Sequence, residues 1–179
     1  MIQKRKALLF LMVFAGWITI FVESTSLAQE DPHSLMQQIN KMGARSAIRK
    51  LWENQGIWEN VMKRIASGEE DWVELAIALY AGSDAGAASE LRDAMFQALR
   101  QNPAYVLGRA EPTFPVSDLC GGRSDPLPTY KDAIAEQEST IAAVKTVKSE
   151  ELNSKKEACL SKLEEEKGHL RRFFGISTN

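Results

Sequence analysis

Trp72-Val73-Glu74-Leu75-Ala76-Ile77-Ala78-Leu79-Tyr80 is the segment around which the rest of the chain has to be arranged. Trp72, Leu75, Ala76 and Leu79 recur at i, i+3, i+4 and i+7, the spacing of one side of a helix, while Val73, Ile77 and Tyr80 carry the apolar surface most of the way round. A helix of this kind needs neighbours on several sides, so it is expected at the centre of an all-α bundle. The flanking segments supply those neighbours, each with one apolar face: Ala44, Ala47, Ile48, Leu51 and Trp52; then Trp58, Val61, Met62 and Ile65; then, beyond Gly82, Ala88, Leu91, Met95, Ala98 and Leu99. Ser83 or Asp84 is placed to cap that last helix, which ends at Gln101. Asn102-Pro103 is expected to cap and open two further turns over 104–110.

From Glu111 to Pro128 the periodicity disappears among four prolines and two glycines, and residues 111–128 read as an irregular loop packed on the body, with an interdomain linker as the alternative. Helical spacing resumes with Tyr130, Ile134, Ile141 and Val144, and again with Leu152, Cys159, Leu163 and Leu170. No strand-like alternation of four or more residues occurs anywhere. The expected architecture is an irregular bundle of six or seven helices, five short ones followed by a longer C-terminal hairpin.

The chain has 179 residues, 22 Lys plus Arg against 24 Asp plus Glu, a formal net charge of −2, and 44% hydrophobic residues. That balance is ordinary for a globular protein and gives no basic field to steer nucleic acid. Lys4, Arg5 and Lys6 precede an uncharged apolar run from Ala7 to Val22, and Ser26 and Ala28 offer small side chains at −3 and −1 of a cut after Ala28. Residues 1–28 therefore read as a secretory signal peptide, and 29–179 as a single mature domain without a stable membrane span. An uncleaved inner-membrane anchor is the alternative. Its 16 apolar residues would rise roughly 24 Å, short of a hydrocarbon core of about 30 Å.

Cys120 and Cys159 are the only two cysteines, and an exported chain with an even count is expected to pair them, two buried thiols being the alternative. Pairing has a topological consequence. One continuous helix from Pro128 would carry Cys159 roughly 46 Å from its start, whereas the residues between Cys120 and Pro128 reach at most about 28 Å. Bridged Cα atoms lie within about 7 Å. The helix must break and fold back, and Lys148-Ser149-Glu150-Glu151 is the expected break, with Ser149 as cap between arms at 129–147 and 150–171.

Residues that bear chemistry are sparse. His33 and His169 are expected to be solvated, with no metal site and no cofactor, and neither is credited with a second ligand at helix spacing. Cys120 with His169 would make a nucleophile and base only if the thiol were free. Gly121-Gly122-Arg123-Ser124-Asp125 lacks the lysine and context of a phosphate loop and reads as a turn after the cysteine. Glu69-Glu70-Asp71 is placed to complement a helix N-terminus, and Glu164-Glu165-Glu166 reads as a solvated face. Trp52, Trp58, Trp72 and Tyr80 fall within 29 residues and are either core or the lining of a groove or interface. Lys167, Arg171 and Arg172 beside Leu170, Phe173 and Phe174 form a basic, apolar tip, expected to dock on its own domain, with a membrane surface or partner as the alternative.

Leu75-Ala76, Gly82-Ser83-Asp84-Ala85-Gly86 and Asn102-Pro103-Ala104, followed by Cys120 and Cys159 in a helical C-terminal part, resemble small exported helical proteins of unassigned function from Gram-negative bacteria. The resemblance implies a periplasmic location and carries over no catalytic residue. The function expected is a non-catalytic periplasmic protein-interaction role, as an immunity or inhibitor protein or an accessory subunit of an envelope complex. An enzyme, or a small-ligand binder with an aromatic groove, is the rival.

Overall fold

A computed structural model describes residues 31–125 and 127–176. The expected signal peptide at 1–28 lies outside the described residues. The described residues are all-α: α1 (Pro32–Met42), α2 (Ala44–Trp52), α3 (Gln55–Ala66), α4 (Glu70–Tyr80), α5 (Ala85–Gln101), α6 (Pro103–Arg109), α7 (Val116–Leu119), α8 (Tyr130–Lys145) and α9 (Asn153–Phe173), with a 3₁₀ turn at Glu150–Leu152 before α9.

Short polar side chains start several of these helices by accepting from amides that have no intrahelical partner. Asp31 Oδ2 accepts from Ser34 N at 3.0 Å, Asn54 Oδ1 from Ile57 N at 3.3 Å, Asp84 Oδ1 from Ala87 N at 3.1 Å and Thr129 Oγ1 from Asp132 N at 3.1 Å. Asp84 is thus the cap of α5. Asn102 is not a side-chain cap, contrary to expectation: its Nδ2 donates instead to Gly68 O at 3.2 Å, tying the end of α5 to the turn after α3. Ser149 makes no side-chain cap either, because the 3₁₀ turn intervenes and Leu152 occupies the cap position of α9. Glu70 and Asp71 lie in the first turn of α4, as expected for the dipole, while Glu69 pairs with Arg64 at 3.0 Å.

α4 is packed by α1, α2, α3 and α5, in keeping with its nearly all-round apolar surface, and Val73, Leu75, Ala76 and Leu79 are fully buried. It shares the centre with α5, which touches α3, α4, α6, α7 and α8 and so joins the N-terminal helices to the C-terminal hairpin. One continuous apolar cluster runs from Leu35 to Leu163. Two elements exceed the six or seven helices expected. α1 buries only Leu35 and Ile39, too thin a stripe to show in a polar sequence, and α7 is a single turn inside the segment read as irregular.

The hairpin forms as the cysteine argument requires. α9 folds back on α8, and Cys120 at the end of α7 is bonded to Cys159 on α9, with Cα atoms 5.3 Å apart and both residues fully buried. Two lysines at the start of α9 reinforce the seam. Lys155 Nζ donates to Ala110 O at 2.7 Å and Lys156 Nζ to Val147 O at 2.8 Å. These cations oppose the dipole of their own helix, but each supplies a charged donor to a loop carbonyl lacking a backbone partner.

Candidate functional site

The four aromatic residues singled out from the sequence are divided by the fold. Trp72 is core, beneath the guanidinium of Arg64 at 5.3 Å from its ring. Trp58 is also buried, and its indole Nε1 donates to Glu90 Oε2 at 2.6 Å, satisfying a donor that would otherwise be stranded. Tyr80 is half-buried against Phe114, with ring centroids 4.1 Å apart. Trp52, at the C-terminal end of α2, is different: it is 44% exposed, supported from beneath by Trp58 at 5.1 Å between centroids.

Trp52 stands between two open clefts. One, of about 550 Å³, is lined by Arg45, Ile48, Arg49, Trp52, Glu53, Gly82 and Asp84. The other, of about 380 Å³, lies between Trp52, Gln55, Trp58, Glu59 and Glu90. Arg45 and Arg49 are one helical turn apart on α2, and among the described residues neither has a carboxylate within ion-pair distance. Gly82 lets the floor of the larger cleft close up, since a Cβ there would stand 2.3 Å from Arg45 N and 2.6 Å from Ala44 Cβ. The two arginines were not singled out from the sequence. Their signal is the 45, 49, 52 spacing, which puts them on the same face as the tryptophan.

A second concavity lies where the Gly121–Asp125 stretch crosses the hairpin. Ser124 N donates to Asp93 Oδ1 at 2.7 Å, and Arg123 reaches Glu136 Oε1 at 3.7 Å, where Arg100 also pairs at 3.1 Å. Among the described residues no backbone hydrogen bond closes the turn expected within 121–125; the stretch instead bends across a half-open pocket of about 140 Å³ whose walls include Phe96, Ala133, Gln137, Leu170 and Phe173. The sequence reading missed this site. Its one local signal is Gln137, a polar residue within the buried stripe Ala133, Gln137, Thr140, Ile141 and Val144 of α8.

Ionisable groups gather at two further places. On α9, Lys162 Nζ lies 3.1 Å from Glu165 and 2.9 Å from Glu166, while His169 Nδ1 lies 3.1 Å from Glu166 and Nε2 3.6 Å from Glu165. His169 therefore has two carboxylates at helix spacing, which the sequence reading overlooked. One ligand atom from each of Glu165, Glu166 and His169 falls within 4.8 Å of the others. The Lys162 ammonium already occupies these carboxylates. Its hydrogen bonds hold the Glu165 carboxyl below its ordinary range, and the bonds to Glu166 and Glu165 raise its own pKa. Between α4 and α6, Glu74 accepts from the Tyr105 hydroxyl at 2.8 Å and pairs with Arg109. Burial, followed by the hydrogen bond to Glu74, pushes the Tyr105 phenol up to about 12.

His33 pairs with Asp71 at 3.5 Å in an exposed contact. The Cys120 sulfur is consumed by its bond to Cys159, so the nucleophile reading of Cys120 with His169 fails. At the C-terminal tip, Phe174 packs edge-on against Tyr130 with centroids 5.9 Å apart and Lys167 pairs with Glu138 at 3.5 Å, so the tip does dock on its own domain. Phe173 remains 69% exposed, and Arg171 and Arg172 are also exposed.

Among the described residues no helix is long and apolar enough to cross a membrane. No family model, curated protein or solved structure matches the chain.

Proposed function

We propose that this chain is an exported, non-catalytic interaction protein that grips a partner in the same compartment through Trp52, Arg45 and Arg49. Trp and Arg dominate the energetics of protein interfaces because each combines a large contact area with a directional polar group. The observation that carries the reading is a Trp52 ring 44% exposed, braced by Trp58 and flanked by two arginines without carboxylate partners among the described residues. An acidic partner segment laid along α2 would pair with Arg45 and Arg49 and cover the indole. An immunity or inhibitor protein and an accessory subunit of an envelope complex would both use such a surface. Export rests on the signal-like residues 1–28, and the Cys120–Cys159 bond is compatible with an oxidising compartment.

The test is site-specific photocrosslinking in periplasm. A photoreactive side chain at position 52 should trap one discrete partner, a probe at exposed Glu157 on α9 should not, and Arg45→Glu with Arg49→Glu should abolish the adduct. Equal adducts from both positions, or an adduct indifferent to the charge reversal, would remove the α2 surface from the reading.

A further inference from the structure

The cavity under the Gly121–Asp125 stretch shares no lining residue with the clefts beside Trp52. It is a half-open pocket, with Phe173 at its mouth 69% exposed, and its volume of about 140 Å³ is enough for a single ring. Phe96, Ala133, Leu170 and Phe173 give it apolar walls of the kind that hold a single ring.

One wall is polar and incompletely used. Gln137 is only 3% exposed and donates through Nε2 to Leu163 O at 2.9 Å, but among the described residues nothing donates to its Oε1. The Gln137 amide is among the groups that line the pocket. Its Oε1 lies 3.9 Å from the point where a Cβ on Gly122 would stand, so a glycine in the roof leaves the space above the amide open. Gly122 also has φ +77°, which a larger residue would adopt only with strain. The charges at the rim are already spent: Glu136 on Arg100 and Arg123, Glu166 on Lys162 and His169. A ligand matched to this site is neutral, about one ring in size, apolar, and carries a single hydrogen-bond donor.

We infer that the cavity is a binding site for small phenol-like molecules, the ring lying among Phe96, Ala133, Leu170 and Phe173 and the hydroxyl donating to Gln137 Oε1. The roof follows directly on Cys120, so the bond to Cys159 holds the site in shape.

The experiment titrates the oxidised protein with phenol and, separately, with toluene, followed by amide chemical shifts. Phenol should bind saturably and at least about tenfold more tightly than toluene, because toluene leaves the buried acceptor unpaired. Gln137→Met should bring the two affinities together. Leu170→Trp, a change at a half-buried position, should fill the cavity and abolish phenol shifts while leaving the fold intact. Toluene binding as tightly as phenol, absence of saturable phenol binding up to tens of millimolar, or undiminished phenol binding by folded Leu170→Trp would each overturn the assignment.

Discussion

Reducing the Cys120–Cys159 bond should cost the fold about 4 kcal/mol. The bond closes a loop with a sequence separation of 39, and on the chain-entropy model such a closure removes about 13 cal/mol/K from the unfolded ensemble, or about 4 kcal/mol at 25 °C. In urea, with a slope of about 2 kcal/mol/M, the midpoint should fall by roughly 2 M. In heat, the midpoint should fall by about 8–16 °C for a domain of this size. Two perturbations separate entropy from packing. The reduced wild-type chain keeps both sulfur atoms, whereas Cys120→Ala with Cys159→Ala also removes two buried atoms and should be less stable still. The urea slope should rise when the bond is broken, because the unfolded chain then exposes more surface. Hydrogen exchange would localise the effect to the α7 segment and the first half of α9, with α1 to α4 little changed, since none of those four helices touches α7 or α9 extensively. A reduced chain within about 1 kcal/mol of the oxidised one, or a loss of protection centred on α1 to α4, would refute the view that this bond sets the topology of the C-terminal third.

Other perturbations have equally definite outcomes. Gly82→Ala drives a methyl into the start of α2, 2.3 Å from Arg45 N, and should destabilise by about 1–3 kcal/mol in urea; a loss below 0.5 would mean the helices separate freely. Lys155→Met leaves the buried Ala110 carbonyl without its charged donor and should cost about 1–3 kcal/mol, whereas unchanged stability would show that water replaces the ammonium. Tyr105 holds its proton to about pH 12 in the fold against an ordinary 10.0, so its contribution is complete below pH 10 and is lost as pH rises from there toward 12. Tyr105→Phe should flatten the fall in stability across that interval and delete a phenolate step near pH 12 in the ultraviolet titration; an unchanged titration would refute the contact with Glu74. Trp52→Ala removes an exposed ring and its stacking on Trp58 and should cost less than about 1.5 kcal/mol while abolishing partner binding. A larger stability loss would mark Trp52 as a core residue.

The helices that carry a dense apolar stripe were legible in the sequence. α2 to α5 emerge from spacing alone, because each buries a face wide enough to show at 3.6 residues per turn. The fold-back of α9 was legible for a different reason: once Cys120 and Cys159 are taken as paired, the length limit leaves no other route. α1 and α7 escaped because Leu35 with Ile39, or one turn at Val116–Leu119, does not make a periodic signal. The cap at Asn102 failed because a tertiary contact to Gly68 O took its side chain, and the cap at Ser149 failed because a 3₁₀ turn intervenes before α9. The sites were the least legible part. Trp52 and Trp58 look alike in sequence, and only packing leaves one ring outside and the other beneath it. The cavity is assembled from α5, the Gly121–Asp125 stretch, α8 and α9, so no local pattern could announce it beyond a glutamine on a buried stripe.

The proposed export underlies both the oxidation of the hairpin and the reading of a partner surface, and the intact mass of the protein tests it. When residues 1–179 are produced in a Gram-negative host and the periplasm is released, the recovered species should begin at Gln29 and weigh two hydrogens less than its thiol form. Recovery of the full-length polypeptide from the cytosol, with Cys120 and Cys159 both open to alkylation without unfolding, would contradict the account.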